Sequence, residues 1–345
     1  MTRESHATQA PRTWLWLALF ISLLVSATAY WIRKDTAPPA WDQAWYLENS
    51  VRFYNALRYE GFSEFATVFE RSFQGMKAPL ISLLPVPLYF MFGVSYDVAM
   101  ICNLLMIVAL NIFLFLLVKE RFSERHGLLA VAVTSTMPLF WTLSHQFLVG
   151  YGLTLLVITW FYLLFKSNCY RSKKYDLLLG LNLGLGLLMK VLFPLFVFVP
   201  SLLMLVNRIR NDAKSGLARA FLDVGIIIAI GLGIASTWYV SNFGAVMDCA
   251  LSSGFGKLAS DYGMGEVFSL RTIVSYWKRV IASGISFWYA LLMMFTLVAW
   301  ALKRLLTRRR LHIDLNGLVF GCWFIVPFIV MTFAVNKQTR FLAPS

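Results

Sequence analysis

One carboxylate and three distant cations are the side chains of this sequence best suited to chemistry. Asp42 stands in Trp41-Asp42-Gln43-Ala44-Trp45-Tyr46 and Lys77 in Met76-Lys77-Ala78-Pro79-Leu80, while Lys190 interrupts the apolar run 177–206 and Arg340 lies near the last residue. A carboxylate partly withdrawn from water has a raised pKa and can act as a general base. Lysines on the same face can neutralise a phosphate and stabilise it as a leaving group. Each residue also has a plainer reading. Asp42 suits the N-cap of a helix, Lys190 can snorkel to a membrane interface, and Arg340 can be solvated. His145, at the end of an apolar run, reads as an interfacial hydrogen-bonding residue. The sequence has no Walker loop, no Ser-His-Asp order, no His-Glu-x-x-His and no Cys pair.

The elements that must position these side chains are membrane helices. The 345 residues are 59% hydrophobic, 16% aromatic and only 14% charged, too much apolar surface for one water-soluble core. The net charge of +14 lies in short clusters between apolar runs. There it acts as a topology signal and as contacts for anionic lipid, so nucleic acid is not an expected partner. The four cysteines, Cys102, Cys169, Cys249 and Cys322, lack metal-ligand spacing and imply no disulfide framework. The first run ends in Arg33-Lys34 instead of a small-residue cleavage site and is expected to stay as an anchor, with a bacterial inner membrane as the default location.

Nine apolar runs predict a helix each: 14–32, 98–118, 128–143, 147–165, 177–189, 191–206, 221–240, 285–302 and 318–335. Basic clusters at 119–125, 166–174, 208–219 and 303–310 are then separated by even numbers of crossings and share one side, the cytoplasmic one. Residues 79–93, interrupted by Pro79, Pro85 and Pro87, are too short to cross and are expected to be re-entrant. The outer face then holds 33–78, the turn 145–150, the bend at Lys190, the connection 241–283 and the tail 336–345. Within 33–78, helical spacing at Leu47, Val51, Tyr54 and Leu57, and again at Phe62, Phe65, Phe69 and Phe73, predicts two amphipathic helices, lying on the membrane or packed on neighbouring spans. Gly180, Gly184 and Gly186, with Gly225, Gly231 and Gly233, mark close helix contacts.

Asp42-Gln43, Lys77-Ala78-Pro79-Leu80 ahead of Phe92-Gly93, Gly184-Leu185-Gly186-Leu187-Leu188-Met189-Lys190, and the stretch from Lys337 through Arg340-Phe341 to Pro344 follow one another in order. Together they resemble the motifs of the polytopic GT-C type glycosyltransferases, in the branch of protein O-mannosyltransferases and aminoarabinose transferases. The resemblance implies an all-α polytopic fold over residues 1–345, with no separate C-terminal soluble domain. It implies a polyprenyl-phosphate-linked sugar as donor and a lipid, glycan or protein hydroxyl as acceptor, joined with inversion on the periplasmic side. In that scheme Asp42 is the base or acceptor-positioning carboxylate, and Lys77, Lys190 and Arg340 contact the donor phosphate. Met76 and Gly150 stand where the family often has acids, so no cofactor is assigned and support for a divalent metal is weak. Two other readings share the phosphate-binding lysines: a polyprenyl-lipid flippase, and an inactive GT-C-like scaffold of an envelope glycan system.

Overall fold

The computed structural model describes residues 10–212, 216–254, 256, 269–307, 314–334 and 337–345, which contain helices and turns and no strand. In chain order the α-helices are α1 (Ala10–Lys34), α2 (Asp42–Asn55), α3 (Phe62–Glu70), α4 (Leu80–Leu83), α5 (Val86–Phe92), α6 (Tyr96–Arg121), α7 (Glu124–Thr136) and α8 (Pro138–Ser144). After these come α9 (Val149–Lys166), α10 (Lys173–Met189), α11 (Phe193–Asn211), α12 (Gly216–Gly254), α13 (Leu270–Arg279), α14 (Phe287–Leu306) and α15 (Leu315–Thr332). Ser95, Ser123 and Asp314 cap α6, α7 and α15 through side-chain oxygens, as short polar residues do at helix starts.

Among the described residues, seven helices are long and apolar enough to cross a membrane, or eight if α7 and α8 count as one span. The expected nine is not confirmed by this count: α10, at 17 residues or about 26 Å at 1.5 Å per residue, is not among these helices, although it runs from the Lys173 end of the bundle to Lys190 at the other. The run 128–143 is bent by 69° between α7 and α8. Pro138 accounts for the bend: it offers no N–H, and it forces Met137 into an extended conformation (ψ 137°). The apolar stretch Leu80–Phe92 falls short of a crossing, as expected, and is itself divided around Leu84-Pro85.

The connection after α1 folds into α2 and α3, joined by a π-turn at Ala56–Glu60. The apolar face of α2 packs on protein: Tyr46, Leu47 and Phe53 are buried, Ser82 donates to the Tyr46 carbonyl at 2.7 Å, and Ser50 meets the Tyr89 hydroxyl at 3.0 Å. Helix α3 buries no residue completely and leaves Phe62 76% exposed. Within 241–283, α12 continues to Gly254, residues 255 and 257–268 lie outside the described set, and α13 with a π-turn at Val280–Ile285 completes the return.

The two ends of the bundle differ in content. Gln43 accepts from the Phe147 backbone N–H at 3.0 Å, Lys190 joins α10 to α11, and Asn242 of α12 donates to the Glu70 carbonyl at 2.8 Å. These put the C-terminal end of α10 and of α12 beside the start of α9, at the end where the residue 33–78 segment lies. The opposite end carries Lys119–Glu124, Lys166–Glu120, Arg171–Asp212 and Arg208–Asp223 ion pairs. The clusters 119–125, 166–174 and 208–219 therefore share one end, as the spacing predicts; residues 308–313 of the fourth cluster are outside the described set.

Helices α10 and α12 touch through their glycines. A Cβ added at Gly184 would lie 2.6 Å from the Ile234 Cβ, and one at Gly180 2.8 Å from the Ile230 Cβ. Both are closer than real Cβ atoms come, so a side chain at either position must push the helices apart. Gly184→Val is expected to destabilise the protein by about 1–3 kcal/mol, the usual cost of overpacking. A detergent-solubilised thermal melt checks this, and an unchanged melting temperature would show that the α10–α12 contact is looser than drawn.

Candidate functional site

Asp42 begins α2 but does not cap it. Trp41 occupies the cap position, no side chain bonds the free backbone N–H groups there, and the Asp42 carboxylate is engaged elsewhere. Oδ1 accepts from Lys77 Nζ at 2.6 Å and Oδ2 from Arg340 Nη2 at 3.0 Å. The capping reading is thereby corrected: the carboxylate turns away from its own helix to join residues 35 and 298 positions away. Trp41 is 83% exposed and has a φ of 51°, a region a non-glycine residue enters at a cost of about 1–2 kcal/mol.

Lys77 is delivered by a second left-handed segment. Phe73, Gln74 and Gly75 have φ of 53°, 53° and 73° in a 3₁₀ turn at Ser72–Gly75. The buried Phe73 ring packs edge-on against Trp45 and Tyr46, each at 5.4 Å between centroids, which ties the turn to α2. From the other side α12 grips it: Trp238 Nε1 donates to Ser72 Oγ at 2.9 Å and Asn242 Nδ2 to the Glu70 carbonyl. The ammonium of Lys77 then lies 4.5 Å from the Trp45 ring centroid and 5.5 Å from that of Tyr46, over electron-rich faces that favour a cation.

Lys190 and Arg340 arrive from the α10–α11 turn and the tail. The Lys190 backbone is extended, its N–H bonding the Gly186 carbonyl at 3.0 Å and its carbonyl accepting from Phe193 N–H at 3.0 Å. Its Nζ lies 4.2 Å from the Phe341 ring centroid, one residue after Arg340. The tail is folded back and not free in solvent: a 3₁₀ turn spans Thr339–Leu342, Phe341 packs on the buried cluster of Tyr276, Val280 and Met331, and Trp323 Nε1 donates to the Pro344 carbonyl at 2.6 Å. Arg340 Nε is held by the Gln338 side-chain carbonyl at 2.6 Å. All four residues singled out in the sequence thus meet at one end of the bundle.

Electrostatics depart from expectation in one respect. Burial pushes the Asp42 carboxyl upward, but the Lys77 hydrogen bond and the charges of Lys77 and Arg340 outweigh it, leaving the group below the ordinary aspartate range. The expected raised pKa is corrected for that reason. Lys190 is brought down to about 7, first by burial and then by the Arg340 charge, with Asp42 pulling the other way. A divalent cation does not fit these residues: Asp42 is the sole acid bonded here, both its oxygens are ion-paired, and the described residues contain no cluster of three His, Cys, Asp or Glu able to hold a metal.

His145 stays outside the group. It is buried between Trp31 and Trp141, with Nδ1 at 2.6 Å from the Trp141 carbonyl, a hydrogen-bonded histidine apart from the site. Trp238 and Asn242 were not anticipated as supports for Lys77. Their signal was present as buried residues at 238, 242 and 246, a four-residue spacing that marks a helix face continuing past the apolar run.

The model of the dolichyl-phosphate-mannose-protein mannosyltransferase family matches residues 76–239, a stretch that contains Lys77 and Lys190 and excludes Asp42 and Arg340. The fold is similar to that of ArnT from Cupriavidus metallidurans bound to undecaprenyl phosphate, at a TM-score of 0.65 and 15% identity over 95% of this chain and 57% of that one. The apo state of the same protein gives a TM-score of 0.64 and 15% identity over 98% and 58%. The chain spans a little over half the length of ArnT. No curated protein matches it in sequence. Family match and fold agree with the resemblance to GT-C type polytopic glycosyltransferases drawn from the motifs.

The turn before Lys77 supplies a test of how the site is positioned. At Gly75 a Cβ would lie 2.4 Å from Asn242 Oδ1, on a backbone with φ of 73°. Gly75→Ala is expected to cost about 1–3 kcal/mol through strain and overpacking. Lysine-selective labelling at Lys77 should rise as the turn loosens, and unchanged stability with unchanged labelling would contradict the described turn.

Proposed function

We propose that the chain is an inverting glycosyltransferase that moves a sugar from a polyprenyl-phosphate donor to an acceptor hydroxyl at the periplasmic side of a bacterial inner membrane. The observation that carries this reading is the Asp42 carboxylate held between Lys77 and Arg340 beside Lys190. The fold is similar to that of ArnT, whose structure is bound to undecaprenyl phosphate. Lipid around the apolar outer faces of helices such as α14 is the remaining partner.

The acceptor oxygen attacks the anomeric carbon on the face opposite the phosphate. A carbon–oxygen bond forms as the bond to the phosphate oxygen breaks, and the electron pair leaves with the phosphate. The acceptor proton passes to Asp42, and the single displacement inverts the configuration. Lys77, Lys190 and Arg340 lower the barrier by neutralising the departing phosphate. Without the donor, Lys77 and Arg340 hold Asp42 ionised and weakly basic. A phosphate that draws the two cations toward itself releases Asp42 and raises its affinity for a proton, so the base gains strength once the leaving group is in place.

Asp42→Asn is expected to lower kcat by about 10²–10⁴, the usual worth of a general base, while a labelled polyprenyl-phosphate sugar still binds. Undiminished transfer by that variant would remove the assigned role. Movement of the labelled lipid across a liposome membrane without transfer would favour the flippase.

A second test uses pH. Lys190 titrates at about 7, so its charge is present below that value and lost above it. A bound phosphate raises its pKa, so binding takes up a proton between about 7 and the ordinary lysine value near 10.4. Affinity for polyprenyl phosphate should therefore fall, by about 10- to 100-fold, as pH rises through this range, since a charged hydrogen bond is worth about 1.5–3 kcal/mol. Calorimetry in buffers of different ionisation enthalpy reads the proton uptake. Lys190→Met should abolish it, and a pH-independent affinity in wild type would exclude Lys190 from the phosphate site.

A further inference from the structure

A cavity of 340 Å³ opens beside the site, next to Arg340 but lined by neither Lys77 nor Lys190. Its walls carry Arg279, Lys337 and Arg340 together with Thr142, Gln146 and Ser283, and no acid lines it among the described residues. Arg279 ends α13, and its Nη2 is buried without a hydrogen-bond partner among the described residues. Lys337 is 2% exposed and donates one proton to the Ala334 carbonyl at 2.6 Å, which leaves two N–H groups for another acceptor. No ion pair of either residue occurs among the described residues. Buried cations without acids are costly, and an unpaired guanidinium N–H most of all, unless an anion completes them.

We propose that this cavity binds an oxyanion, the phosphate or carboxylate of an acidic acceptor, on Arg279 and Lys337, and so presents the acceptor hydroxyl to Asp42. The inference rests on the glycosyl-transfer reading and adds to it the acceptor's chemical class. Three features separate this seat from the donor's. The volume lies in the range of small-ligand sites, and among the described residues of its walls only Leu139 and Leu143 are apolar, which suits a hydroxylated head group and not a polyprenyl chain. Its cations are additional to Lys77 and Lys190. Arg340 connects the two compartments, with Nη2 on Asp42 and Nε on Gln338, itself a wall of the cavity. Burial, and after it repulsion from Arg279, keeps the Lys337 ammonium below the ordinary lysine range, a tension that a bound anion relieves.

The test uses the full chain in lipid nanodiscs, saturated with polyprenyl phosphate and then titrated calorimetrically with inorganic phosphate. One phosphate should still bind, and Arg279→Gln and Lys337→Gln should each weaken it at least tenfold. Polyprenyl phosphate affinity should stay within twofold in both variants and fall in Lys77→Met. Arg279→Lys, keeping the charge and the thermal melt, should lose less than Arg279→Gln, which guards against a folding defect. The proposal is overturned if polyprenyl phosphate displaces inorganic phosphate one for one, since the cavity then belongs to the donor. It is equally overturned if Arg279→Gln binds inorganic phosphate as wild type does. Arg279-dependent binding of inorganic phosphate with no binding of polyprenyl phosphate would support the anion site while removing the donor reading.

Discussion

The ion pairs at Asp42 set the terms for everything around them. Lys77 reaches one carboxylate oxygen at 2.6 Å and Arg340 the other at 3.0 Å, from opposite directions along the chain. Neither cation can be brought there by local structure. Lys77 needs the left-handed turn at Ser72–Gly75, and that turn needs Trp238 and Asn242 of α12 to hold it. Arg340 needs the tail to fold back, which Phe341 and the Trp323–Pro344 hydrogen bond secure. The long α12 and the helices against it serve in this sense as the arm that keeps one turn in place, and the glycine contacts with α10 fix where that arm stands.

Strain collects at the same points. Trp41 immediately precedes Asp42, and Phe73, Gln74 and Gly75 closely precede Lys77, all at positive φ. Left-handed non-glycine residues persist only where surrounding packing over-determines them, and they gather at functional sites. Here the packing is visible, since Phe73 is clasped by Trp45 and Tyr46 on the helix that Asp42 begins. The two strained segments thus support each other, and the carboxylate and ammonium are positioned relative to one unit of structure.

Much of this was legible in the sequence, for physical reasons that also mark where legibility ends. A lysine inside an apolar run is expensive, so Lys190 announced itself, and the parity of basic clusters located the site end of the bundle. The span count stays at seven or eight among the described residues because α10 is short, glycine-rich and packed on α12, where apolarity gives no sharp measure of length. The alternative reading of Asp42 as a cap rested on local pattern, which favours local partners, whereas its partners lie 35 and 298 residues away. Positive φ at Trp41 and Phe73 carries no composition signal at all, since aromatic residues avoid that region elsewhere.

The contrast between the bundle's two ends gives the charge distribution its meaning. At one end, Lys119, Lys166, Arg171 and Arg208 each meet an acid within the protein, and Arg208, 2% exposed, also bonds the Tyr170 carbonyl. The buried Arg208 is completed there by the chain itself, as a structural cation must be. At the other end Asp42 serves Lys77 and Arg340 together, while Lys190, Lys337 and Arg279 have no acid partner among the described residues. Arg121 at the first end also has a buried Nε without a hydrogen bond among the described residues, but its guanidinium lies 4.5 Å from the Phe165 ring centroid. What distinguishes the second end is that Lys190, Lys337 and Arg279 gather beside the one held carboxylate, and the proposed donor phosphate and acidic acceptor would match those cations in sign.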